Sequence, residues 1–266
     1  MTETTFTQLL AGLERGTHGR IEAHIPQDWM QGRTTYGGLT AALSLEAAQV
    51  LAGDVLVRAV QVAFIGPIGG DLVISPSLLR RGKNSVFVNV DVVGETGLAA
   101  RSIFAFGIKR QSHVAFGGLP MPVGLPGPHE AEPLFPDDRQ RPNFMRHFNM
   151  RIAEGTRPVS GGTLPLFGLW LRHKDEGVLY SPTALLALAD APPPAAMAAF
   201  QQPGPVSSMT WMAEFLSHEL ETSEGWYYAR HDAQTVRDGY SSQAMTLWSA
   251  DGRPLMVGRQ TVAVFV

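Results

Sequence analysis

The chain has no cysteine, which excludes disulfides, cysteine-bound zinc and thiol nucleophiles and fits a reducing compartment. It is also short of charge: 17% of residues are charged against 44% apolar, the composition of a folded chain rather than a disordered one. Its 21 basic and 24 acidic residues leave a formal charge of −3, so no broad positive surface awaits nucleic acid or an anionic membrane. Long apolar runs are missing too. The uncharged stretch from Ala191 to Ala213 is broken by prolines and polar residues, and Met1 to Gly16 lacks a basic start followed by an apolar segment. Neither a spanning helix nor an export signal is expected. The eight histidines, including His113, His129, His147, His173, His218 and His231, show no metal-ligand spacing, and no glycine-rich nucleotide fingerprint or Walker loop occurs. No metal and no cofactor is expected, and the chain reads as a soluble, cytoplasmic protein. At 266 residues it can form one large domain or two modest ones.

What is present is order repeated twice. Gly37 and Gly38 precede Leu39, Leu43, Ala47, Val50 and Leu51, which line one face of a helix that Gly53 and Asp54 stop. Strand-like segments follow at Val55–Ile65, Asp71–Leu79, Ser85–Val93 and Ala99–Ile108, with turn residues between them. Later, Ser181 and Pro182 open a short helix over Thr183–Asp190, which Pro192, Pro193 and Pro194 end. Strand-like segments return at Val206–Leu216, Trp226–Val236, Tyr240–Ser249 and Leu255–Val266. The run from Arg101 to Phe106 lies over that from Arg259 to Val264, ending the last strand of each half. A helix and four sequential strands, twice over, imply a duplicated α+β unit whose short turns make the strands antiparallel. Between the halves, residues 111–143 are rich in proline and glycine and read as a disordered-looking, extended connection outside any sheet. The expected organisation is 1–110, a linker at 111–143, and 144–266, with two helix-wrapping antiparallel sheets side by side.

The pattern resembles the double-hotdog acyl-CoA thioesterases, close to the acyl-CoA thioesterase II group. The resemblance rests on Gly32-Arg33, on Tyr36-Gly37-Gly38 opening the first helix, and on the segments Val62–Pro67 and Leu79–Ser85. In the second half it rests on Leu188-Ala189-Asp190, on Val206–Thr210, and on Gly258-Arg259-Gln260. It implies hydrolysis of acyl-CoA to free acid and CoA, by a water that an Asp, a Ser or Thr, and a Gln activate. Carried over by position these are Asp190, Gln260, and either Ser208 or Thr210, which strand alternation would place on one face. Edge strands in such sheets seek partners, which points to a homo-oligomer, a dimer of double hotdogs.

Each of these residues also has an ordinary reading. Asp190 ends a helix among Leu186, Ala187, Leu188, Ala189 and Ala191; it is a marker of the helix end, or a carboxylate whose apolar setting raises its pKa and suits a general base. Gln260 needs partners for a buried amide, and its counterpart in the first half is Ser102, so the repeat itself does not demand it. Gly37 and Gly38 are plain turn chemistry or a cradle of backbone N–H groups for an oxyanion or phosphate. Arg80, Arg81 and Lys83 could meet the phosphates of CoA, although such a trio is more often a solvated turn. No Gly-x-Ser-x-Gly segment or Ser-His-Asp order occurs, so water is a better candidate nucleophile than serine. The alternatives are a non-catalytic acyl-thioester binder or structural hotdog protein, and an enoyl-CoA hydratase, which would need a histidine near Asp190.

Overall fold

The computed structural model describes residues 3–137 and 141–266. A short helix α1 (Phe6–Ala11) is opened by a reciprocal capping box between Thr5 and Gln8. Strands β1 (Glu14–Arg15) and β2 (Ile21–His24) follow, then a small hairpin of β3 (Met30–Gln31) and β4 (Thr34–Thr35). The first repeat is completed by α2 (Gly37–Ala52), β5 (Val57–Phe64), β6 (Asp71–Arg81), β7 (Ser85–Gly94) and β8 (Gly97–Gly107). The second half comprises β9 (Glu132–Pro133), β10 (Phe148–Gly155), β11 (Leu166–His173), α3 (Pro182–Ala189), β12 (Val206–Phe215), β13 (Tyr227–Arg237), β14 (Tyr240–Ser249) and β15 (Pro254–Val264). Both helices and all eight expected strands occur within a few residues of their expected bounds.

The sheet differs from the expectation in one respect. Instead of two sheets side by side there is one, thirteen-stranded, in the order β1-β2-β6-β7-β8-β5-β12-β15-β14-β13-β11-β10-β9. Every neighbour is antiparallel, and the halves join where β5 pairs with β12, with Val62 opposite Trp211. Each half would otherwise end on a long unpaired strand, and pairing the two satisfies both rows of backbone groups. Read from either end toward this seam, β2-β6-β7-β8-β5 and β11-β13-β14-β15-β12 follow the same order, so the repeat is structural. Each repeat also contains a strand before its helix, β2 or β11, that the sequence reading passed over.

Helix α2 is buried on nearly every side, not on one face. Its Ala, Gly and Ser content lets neighbouring elements approach closely, and its buried Thr40 and Ser44 hydroxyls donate to the carbonyls of Tyr36 and Thr40. It packs on β6, β7 and β8 and against α3, which places the two helices on one side of the sheet. At its end Gly53 takes φ of 72°, a backbone turn that favours glycine. None of the helices among the described residues is long and apolar enough to cross a membrane.

The segment 111–143, of which 138–140 lie outside the described residues, is ordered where it meets the second half. Trp248 Nε1 donates to the Leu119 carbonyl at 2.8 Å and Trp170 Nε1 to that of Pro126 at 2.9 Å. Met121, Leu125 and Ala131 pack on Trp170, Tyr228, Trp226 and Trp248, the sheet face opposite the helices. Part of it joins the sheet as β9, with Pro133 at the outer edge, where a missing donor does no harm. Two-residue strands with exposed polar or proline positions thus end the sheet on both sides, which blunts the strand-edge route to a dimer.

Because the linker covers these aromatics on that face, with Ala153, Ala250 and Arg172 beside it, Trp248→Ala should lower stability by about 3–5 kcal/mol in urea unfolding. It should also make residues 111–131 faster targets of limited proteolysis.

Candidate active site

Helix α3 is half the length of α2, and the difference builds the site. Ser181 caps its start, accepting from the Ala184 N–H, and Pro182 sits at its first position. Ala191 precedes Pro192 and so disfavours the helical conformation, stopping α3 at Asp190, its C-cap. There the carboxylate meets the N-terminus of α2. A Cβ built on Gly37 would lie 2.6 Å from Asp190 Oδ2 and 2.7 Å from the Phe64 ring; one on Gly38 would lie 2.9 Å from the Ala187 carbonyl. Both glycines are therefore required for close approach. The Gly38 N–H donates to the Asp190 carboxylate, and the Tyr36 hydroxyl ties the helices together by donating to the Ala187 carbonyl at 3.1 Å. To the two readings of the glycine pair, an anion cradle or turn chemistry, the structure adds a third use: the Gly38 N–H faces the Asp190 carboxylate.

Gln260, on β15, reaches across from the sheet. Its Nε2 donates to Asp190 Oδ1 at 2.8 Å and to Ser208 Oγ at 2.9 Å, while its Oε1 accepts from Gln243 Nε2 at 2.6 Å. Gln243 Oε1 in turn accepts from the Ala195 N–H at 2.9 Å. Burial raises the Asp190 pKa to about 7, against the opposing pull of the bonds from Gln260 and Gly38. The carboxylate is enclosed by protein yet keeps some exposure, into the cavity described below.

Thr210 does not join this group. Between Ser208, opposite Val262, and Thr210, opposite Thr261, β12 takes one residue more than β15. Met209 is that extra residue, and the bulge reverses the alternation. Ser208 stays on the Gln260 side, Trp211 takes the inward place opposite Gln260, and Thr210 faces out, exposed. The expectation that Ser208 and Thr210 share a face fails for this reason.

Asp190, Ser208, Gln260 and Gly37 lie on the wall of a cavity of about 1210 Å³. The rest of the wall is largely apolar, with Phe64, Phe135, Phe144 and Met145 among nine described prolines. Arg80, Arg81 and Lys83 are exposed and lie elsewhere. Arg81 donates to the carbonyls of Leu51 and Ala52, at the C-terminus of α2, where a cation complements the unpaired carbonyls. That end is roughly 24 Å from Gly37, sixteen residues at about 1.5 Å each. Among the described residues Arg157 is the cation on the cavity wall, and it pairs with Glu132 at 2.6 Å. Among the described residues no group of three or more acidic or histidine side chains is placed to hold a metal ion. Sequence reasoning missed Gln243 and Tyr36; the first was detectable as an amide opposite Gln260 once the hairpin from Tyr240 to Val264 was in register.

Two family models match the chain: the acyl-CoA thioesterase N-terminal domain over residues 25–107 and the acyl-CoA thioesterase C-terminal domain over residues 127–264. No curated protein matches the sequence. Among solved structures, a protein of unknown function with a hot dog fold from Alicyclobacillus acidocaldarius is 20% identical, with a TM-score of 0.86 over 100% of this chain and 99% of that one. The tesB protein of Mycobacterium avium subspecies paratuberculosis is 17% identical, with a TM-score of 0.77 over 97% of this chain and 99% of that one. An acyl-CoA thioesterase II from Mycobacterium marinum is also 17% identical, with a TM-score of 0.74 over 96% of each chain. These likenesses show the hot dog fold. With the two family models covering both repeats, this chain belongs to the acyl-CoA thioesterase family and is a thioesterase, a double hot dog whose halves share one sheet.

Proposed function

We propose that the chain hydrolyses acyl-CoA at this single site, with Asp190 as general base, Ser208 and Gln260 positioning the reactants, and the acyl group in the apolar cavity. The observation that carries this reading is the Gln260 amide, which bonds Asp190 and Ser208 at once on the cavity wall. Asp190 takes a proton from a water as its oxygen attacks the thioester carbonyl carbon. Ser208 accepts from Gln260, so its own proton is free to hold the water or the developing oxyanion. The tetrahedral intermediate collapses with departure of the CoA thiolate, a good enough leaving group to need little help. A hydratase reading finds no support, because the described cavity wall contains no histidine. Pure binding of an acyl thioester would need no buried base, and would not call for a carboxylate between two helix ends.

Thiol release from a panel of acyl-CoAs tests the assignment. Asp190→Asn and Gln260→Ala should each lower kcat by about 10²-fold or more, and Ser208→Ala should lower it as well. Thr210→Val, beyond the bulge, should hydrolyse like the wild type. Full turnover by Asp190→Asn would end the proposal.

The base works only when ionised. With its pKa near 7, kcat should climb as pH rises through about 7 and level off above it, rather than near the pH of about 4 that an exposed Asp would set. The same shift has a stability consequence of defined sign. Between about pH 4 and 7 the folded protein retains a proton on Asp190 that the unfolded chain has lost, so stability falls as pH rises through that window. Asp190→Asn lacks the titration. Urea unfolding should show the variant gaining on the wild type from pH 4 to 7, with a constant difference above.

A further inference from the structure

The two amides of Gln243 and Gln260 stand directly opposite each other on β14 and β15, both buried. A glutamine amide has nearly the same shape when its oxygen and nitrogen are exchanged, so packing alone cannot decide which end faces Asp190. If Gln260 turned over, its oxygen would sit against the Asp190 carboxylate and the Ser208 oxygen would lose its donor. We propose that Gln243 is a positioning residue for the hydrolysis, holding the Gln260 amide with its NH2 toward Asp190 and Ser208. The inference rests on the site reading given above.

The direction of the chain of bonds is set at its far end. The Ala195 N–H, first in the 3-10 turn Ala195–Ala199 after the proline run, can only donate. It therefore fixes the Gln243 oxygen toward itself and the Gln243 NH2 toward Gln260 Oε1, which leaves Gln260 Nε2 for Asp190 and Ser208. Gln243 itself stands off the cavity wall, so it acts through Gln260 and not on substrate. The first repeat shows that the sheet does not need this pair. There the equivalent opposed positions are Val90 and Ser102, and the buried Ser102 hydroxyl has no partner. The paired amides appear only in the half that holds Asp190.

The groups around Asp190 bear on the pH readout. From α2 it faces the Gly38 N–H, from the residue before α2 the Tyr36 phenol, whose pKa burial and Asp190 push well up, and from β15 it faces Gln260; Arg157, on the cavity wall, is paired with Glu132. Gln260 is thus the neighbouring side chain whose donated bond favours the carboxylate.

Gln243→Met keeps the volume and removes both ends of the bridge. Its kcat for acyl-CoA hydrolysis should fall about 10-fold or more with KM within about 2-fold, and the acidic limb of kcat should move above that of the wild type. Combined with Gln260→Met, it should cost less than about 2-fold further, since the residue it orients is gone. If Gln243→Met does not fold by circular dichroism, Gln243→Asn, one methylene short of the bridge, should show the same losses. A folded variant with the wild-type kcat and pH limb overturns the inference, and so do equal losses in both backgrounds. The two readings separate cleanly: wild-type turnover by Gln260→Met removes the site assignment itself, whereas loss there beside an unaffected Gln243→Met removes only the role of Gln243.

Discussion

The structure turns on one contact, the carboxylate at the end of a short helix pressed against the start of a long one. Asp190 suffers from the dipole of α3, whose C-terminus repels negative charge, and gains from the N-terminus of α2 through the Gly38 N–H. Apolar surroundings then decide the balance and hold its pKa near 7. Two sequence features make the contact possible: the prolines that halve α3, and the glycines at 37 and 38 that let α2 come within contact distance. Either helix extended by a turn, or either glycine given a side chain, would separate the groups. The tie from Tyr36 to Ala187 supports the same junction from the side.

Duplication explains why the Asp190 site has no twin in a pseudo-symmetric sheet. One row of side chains crosses the seam: Val90, Ser102, Val62, Trp211, Gln260, Gln243. It is mostly apolar on the first side and amide-rich on the second. In the first repeat α2 continues where α3 stops, so no helix end faces that row. The first repeat instead contributes the α2 N-terminus and the Phe64 wall to its partner's site, and Ser102 is left with an unmet hydroxyl, a cost of about 1–3 kcal/mol.

Much of this was legible in the residues. Alternation located eight strands, the Ser-Pro and Pro-Pro-Pro punctuation bounded α3, and the match of Arg101–Phe106 with Arg259–Val264 put Ser102 and Gln260 in equivalent places. The remainder was hidden for identifiable reasons. The bulge at Met209 inserts a residue without any glycine or proline to betray it, so the period-two rule misplaced Thr210. Strand β11 is apolar on both faces because the linker covers the outer one, and it therefore shows little alternation. The order of the linker itself depends on distant tryptophans that supply indole donors, which no local pattern encodes. Arg81 joined a basic trio in sequence, yet its role was set by where the β6–β7 turn falls against the end of α2.

The prolines have a use beyond ending a helix. A wall of ordinary backbone around a large cavity would present N–H groups, each needing a partner or a water. Proline has no such donor and little freedom to move. Pro192, Pro193 and Pro194 beside the site, with Pro203 and Pro205 beyond, therefore give the cavity a rigid surface with few polar atoms, the kind of wall the proposed acyl group requires. Burial raises the pKa of the Asp190 carboxylate beside this surface, so on the proposed reading one apolar setting serves both the acyl group and the base. The Ala195 N–H that follows is the first donor after the run, and it anchors the paired amides. The cavity wall, the setting of Asp190 and the orientation of the paired amides thus meet on one stretch of chain.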